Sequence, residues 1–156
     1  MKKSVSIILT ALAIVLATSC SKSETYPDGG DLDMAEKNIR KSWKLTSYLR
    51  NGVNETNLVL ITSYTESYDS QGVYTRSYIK EDQTQVAEDG VYSFTADLYE
   101  LRISDVSSIS GFSAANSTLS SSAYKILKLT ETEFRYSFIN GSDEHEFRFI
   151  VTPSMK

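Results

Sequence analysis

Cysteine and histidine each occur once in this chain of 156 residues, basic residues are outnumbered by acidic ones, and long apolar runs are missing. Each scarcity closes off a chemistry. A lone thiol, Cys20, has no disulfide partner, and with a single histidine no site of cysteine and histidine ligands can be assembled around a metal. His145 lies between Glu144 and Glu146 just after a turn and reads as a solvated surface residue. A Ser-His-Asp triad would need it beside a partner serine. The formal net charge of −4 argues against nucleic acid, which demands concentrated lysine and arginine. Asp82, Glu88, Asp89, Asp143 and Glu144 stand near turns, without the spacing of a glycosidase carboxylate pair or a calcium loop. Turn chemistry accounts for them. The expectation is a protein with no catalytic residues, metal or cofactor.

The one apolar stretch runs from Val5 to Leu16. It falls well short of the ~20 residues that span a bilayer. Lys2 and Lys3 precede it and the small residues Ala17, Thr18 and Ser19 follow, which is the layout of an export signal. The Ser19–Cys20 bond suits an ordinary signal peptidase, giving a secreted product. It is also the bond a lipoprotein peptidase would cut, and the residues before Cys20 resemble the bacterial lipobox. That motif has leucine three positions before the cysteine; here Ala17 stands there, with Leu16 one residue further out. An unpaired thiol in an exported protein favours lipidation. Several acyl chains on Cys20 would hold the domain stably at a membrane. Ser21 is not aspartate, which by analogy with enteric lipoproteins points to the outer membrane, at its periplasmic face or the cell surface.

Three segments follow. Residues 1–19 form the signal. Residues 20–40 form a polar tether with Pro27-Asp28-Gly29-Gly30 in its middle and a short helix, between Asp31 and Ser42, capped by Asp31 or Asp33. Residues 41–156 form one β domain. In it Trp43, Leu45, Ser47 and Leu49 alternate with Lys44, Thr46 and Tyr48 up to an Asn51-Gly52 turn. Strands are expected at 59–68 and 73–80 around Asp69–Gly72. A brief strand at 84–87 should precede a turn at Glu88-Asp89-Gly90, with strands at 91–95 and 99–105 after it. Alternating strands at 123–129, 133–139 and 144–151 complete the set, with Phe134, Tyr136 and Phe138 on one face and Phe147, Phe149 and Val151 on another. About eight short strands with tight turns make an antiparallel meander, and closing it into a barrel removes its edges. Half of residues 107–122 are serine, with Ile109, Phe112 and Leu119 the large apolar residues. Such a long segment reads either as a mobile flap at one barrel mouth or as disorder without a role.

Ten tyrosines are the conspicuous excess, with Tyr64, Tyr68, Tyr74, Tyr78 and Tyr92 in the central strands. Across a hairpin they can form an aromatic ladder. Either they line a ligand-stacking surface, or they simply suit half-buried strands.

Trp43-Lys44-Leu45-Thr46-Ser47-Tyr48 with Asn51-Gly52, Gly90-Val91-Tyr92-Ser93-Phe94, and Tyr124-Lys125-Ile126-Leu127-Lys128-Leu129-Thr130 together resemble the lipocalin-like domains of lipoproteins from Gram-negative gut bacteria. The resemblance spans residues 41–151. It implies an eight-stranded up-and-down barrel and a small apolar or amphipathic ligand held by cavity shape. It also implies a late basic residue stacked on the first-strand tryptophan, here Arg148 over Trp43, although Lys41-Ser42-Trp43 lacks the glycine many lipocalins carry there. The alternative is a protein- or glycan-interaction module using exposed tyrosines and the serine-rich segment.

Overall fold

The computed structural model describes residues 34–95, 97–112 and 118–152. The signal, Cys20, the tether, Asp31 and Asp33 lie outside the described residues. A five-residue helix, α1 (Ala35–Ile39), leads into nine antiparallel strands: β1 (Ser42–Arg50), β2 (Val53–Asn54), β3 (Thr62–Tyr68), β4 (Val73–Ile79), β5 (Gln85–Phe94), β6 (Glu100–Ser104), β7 (Ala123–Leu129), β8 (Glu133–Asn140) and β9 (Asp143–Val151). Each strand from β3 onward pairs with the next, and β1 pairs with both β3 and β9. Eight strands therefore close an up-and-down barrel, the architecture expected. Closure removes free edges that would otherwise template aggregation. The ninth, β2, folds back on the end of β1 through the Asn51-Gly52 turn, where φ values of 50° and 77° put both residues in the left-handed region.

Alternation sends one side chain in two inward, and the inward set is aromatic. Tyr64, Tyr68, Tyr74, Phe134, Tyr136, Phe147 and Phe149 are all buried in one cluster. Tyr136 stacks on Phe147 with ring centroids 5.3 Å apart, and Tyr68 meets its cross-strand partner Tyr74 at 5.2 Å. Such pairs contribute about 0.5–1.5 kcal/mol each beyond the area they bury.

The two ends of the barrel close differently. At the end where β1 begins, α1 buries Ala35 and Ile39, and the Trp43 indole Nε1 donates to the Ile39 carbonyl at 3.0 Å. Met34 occupies the helix N-cap position and makes no side-chain cap bond. At the other end the described parts of the serine-rich segment fold inward. Ile109 and Leu119 exchange backbone hydrogen bonds of 2.9 and 2.7 Å, and Phe112 is fully buried against Tyr48, Tyr64 and Phe147. The segment thus lies at a barrel mouth and plugs it.

Three local expectations are corrected. Residues 88–90 are not a turn: β5 runs unbroken from Gln85 to Phe94. Gly90 is there because β6 crosses it so closely that a Cβ would stand 2.4 Å from the Ser104 carbonyl oxygen. Strict alternation sets Tyr48 on the face opposite Trp43, yet both are buried, because the β1–β9 register shifts between Leu45 and Ser47 and the bulge flips the alternation. Residues 59–61 precede β3 instead of joining it, following a 3-10 turn at Thr56–Leu58.

Candidate functional site

The barrel interior is not uniformly apolar. Residues 64, 66 and 68 of β3 point the same way, so Glu66 enters the core between two tyrosines and is only 1% exposed. Its Oε1 accepts hydrogen bonds from Tyr64 (2.8 Å), Tyr136 (2.8 Å) and Tyr74 (3.1 Å), and its Oε2 accepts one from Tyr68 (2.7 Å). Four hydroxyls from β3, β4 and β8 thus converge on one carboxylate. Burial first, and then the Glu66 charge, holds Tyr64, Tyr68, Tyr74 and Tyr136 well above the ordinary tyrosine pKa. They keep their protons and remain donors.

Arg76 of β4 is the cross-strand neighbour of Glu66 and is likewise buried. It turns the other way. Its guanidinium pairs with Glu88 of β5, and Nη2 donates to the Ser107 carbonyl at 2.7 Å. The Ser107 hydroxyl donates to the second oxygen of Glu88. Arg76 therefore ties the start of the mouth-closing segment to the barrel wall. Between these groups lies a cavity of about 30 Å³, lined by Tyr64, Glu66, Tyr74, Arg76, Tyr124 and Tyr136 among others.

A second polar pair stands nearer the mouth. His145 is 1% exposed, and its Nδ1 lies 2.7 Å from the Tyr48 hydroxyl. The imidazole stacks on Phe138 at 5.3 Å. This overturns the surface reading of His145, and the reason is parity: residues 145, 147 and 149 share the inward face of β9. Burial pulls the histidine pKa down despite the nearby Asp143 charge, and burial with the Glu55 charge pushes Tyr48 up to about 12. The hydrogen-bond partner of the ring is a tyrosine rather than a serine or carboxylate.

The five singled-out tyrosines are all inside. Tyr64 and Tyr74 line the cavity, Tyr68 bonds Glu66, Tyr78 stacks on Tyr64 at 6.1 Å, and the Tyr92 hydroxyl donates to the Asp69 carbonyl. An interaction surface of exposed tyrosines is therefore not formed by them. Arg148 is not the cation on Trp43 either: it points outward and pairs with Glu146 at 2.6 Å. Lys41 takes that place, with Nζ 5.9 Å from the indole centroid and bonded to the Glu131 carbonyl. Glu66 and Arg76 went unmarked in the sequence. The signal for both was parity with flanking tyrosines at 64/68 and 74/78.

No family profile matches the chain, and no curated protein does. Solved structures do resemble it. An uncharacterized protein from Bacteroides eggerthii superposes with a TM-score of 0.50 at 13% identity, covering 73% of this chain and 99% of that one. What they share is the fold. A lipocalin-like protein from Bacteroides uniformis matches with a TM-score of 0.46 at 15% identity, over 71% of this chain and 97% of that one. Japanin from Rhipicephalus appendiculatus, bound to cholesterol, matches at 0.47 and 12% identity, over 73% and 76% of the two chains. In architecture the chain is a closed up-and-down barrel of eight antiparallel strands, consistent with a lipocalin-like fold.

Proposed function

We propose that this chain is an exported, membrane-anchored binding protein of the cell envelope, without catalytic activity, whose barrel receives a small amphipathic molecule. The observation that carries this reading is two buried charged residues, Glu66 held by tyrosine hydroxyls and Arg76 ion-paired with Glu88, beside a cavity under the mouth-closing segment. Stability alone does not call for them. Well-packed apolar residues in place of a buried ion pair are often neutral or stabilising, by about 1–4 kcal/mol. Polar groups placed at the bottom of an aromatic barrel are what a ligand site needs for orientation.

Ligand pockets for drug-sized molecules run to roughly 300–1,000 Å³. The cavity under the plug is a tenth of that or less, so the apolar body of a ligand must take the volume held by Phe112, Ile109 and Leu119. Besides the burial of these three side chains, the segment that carries them is joined to the wall by Arg76, Glu88 and Ser107, by the Leu60–Gly111 backbone bond of 2.8 Å and by Asn140 to the Thr118 carbonyl. Lifting it opens the mouth without breaking a strand pair. Export and anchoring rest on the signal layout and Cys20, and the outer membrane on Ser21.

Native mass spectrometry of protein purified from its own membrane tests the binding reading. A non-covalent adduct that organic extraction removes, or uptake of an amphiphile from a small library, is expected. Bare protein mass throughout, with no uptake, would count against it.

A further inference from the structure

Donor and acceptor accounting at the bottom of the barrel narrows the ligand. A tyrosine hydroxyl has one hydrogen to give. Those of Tyr64, Tyr68, Tyr74 and Tyr136 are spent on Glu66, and that of Tyr124 goes to the Ser121 carbonyl at 2.7 Å. Of the Arg76 donors, Nε and Nη2 are directed to Glu88 and Ser107. What the tyrosines leave facing the cavity is oxygen lone pairs and ring faces.

Charge points the same way. Glu66, Arg76 and Glu88 stand in register across β3, β4 and β5. One cation lies between two carboxylates, and it is ion-paired with Glu88. Among the described residues Glu66 has no cationic side chain within 4 Å, although it is almost wholly buried. The bonds to this buried carboxylate come only from neutral hydroxyls, so the place of a cationic partner beside it is open.

Resting on the reading of the barrel as a small-molecule site, we infer that the site takes a primary ammonium group, the head of an alkyl- or arylalkylamine. The group sits among Glu66, Tyr64, Tyr74, Tyr124 and Tyr136, with its tail along the path of Ile109, Phe112 and Leu119. An ammonium is close to water in size and fits 30 Å³, where a guanidinium or trimethylammonium does not. It brings three donors to the lone pairs of the tyrosine oxygens, a positive charge to Glu66, and a cation to aromatic faces. A ligand carboxylate or phosphate would add a further anion to the two already there.

Calorimetric titration of the purified full chain with n-octylammonium, n-octanol and n-octanoate compares three heads on one tail. Octylammonium is expected to bind at least tenfold tighter than octanol, and octanoate weakest. Glu66→Gln should bring octylammonium to within about threefold of octanol. If that variant fails to fold, the wild-type order alone decides. Octanol or octanoate binding as tightly as the amine would overturn the ammonium inference and leave the binding barrel standing. Unchanged preference for the amine in folded Glu66→Gln would also overturn it. If none of the three binds, the inference is lost, and the mass-spectrometric experiment decides separately whether the barrel holds any ligand.

Discussion

His145 is neutral in its preferred folded state, because burial sets its pKa below the ordinary value of 6.5. The unfolded chain therefore takes up the proton first, and stability falls as the pH drops below about 6.5. Asp143, whose carboxyl is held below its usual range chiefly by Asn51, contributes stability that is lost only at more acid pH. Thermal melts between pH 7 and 5 should show a falling midpoint, and His145→Gln should flatten that slope. An unchanged slope would remove His145 as its source. Gly90 gives a second test at this scale. The crossing of β6 leaves no room for a methyl group, and both obstructing groups, the Ser104 backbone and Val106, belong to a packed crossing. Gly90→Ala should cost about 2–3 kcal/mol in urea denaturation.

Strands and their faces were largely readable, because period-2 alternation over β3, β4, β8 and β9 is carried by large aromatic residues that have one place to go. Where reading failed, a local device intervened. The bulge in β1 reversed Tyr48, and Gly90 looked like a turn because glycine after Glu88-Asp89 is turn chemistry unless a neighbour's backbone needs the space. The site was less readable. Glu66, Arg76 and His145 occupy inward positions that alternation marks clearly, yet charged and titratable residues are ordinarily solvated, and that prior concealed them. The cation that meets Trp43 is its own near neighbour in the chain, Lys41, two residues earlier. For the plug itself, hydrogen exchange at Ile109 and Leu119 should run faster than at Phe147 or Phe149, since two backbone bonds join them outside any strand. Arg76→Met should speed it further by cutting the tie to Ser107; exchange as slow as in the strands would argue for a permanent cap.

As a whole, the described residues form a closed barrel of eight strands, with a helix at one end and a serine-rich plug at the other. Its place in the cell is a separate question, for which we propose the anchor at Cys20. Cys20→Ser should move the protein from the membrane to the soluble fraction, and unchanged fractionation would set the anchor aside. Within the barrel, the only tryptophan sits at the helix end with its indole fully buried and bonded to Ile39. Its emission should be blue-shifted in the native state and should redden when α1 undocks. The mouth lies at the opposite end, where the rings are tyrosine and phenylalanine. Tryptophan fluorescence will therefore watch the floor of this barrel while its door is read only in the tyrosine spectrum.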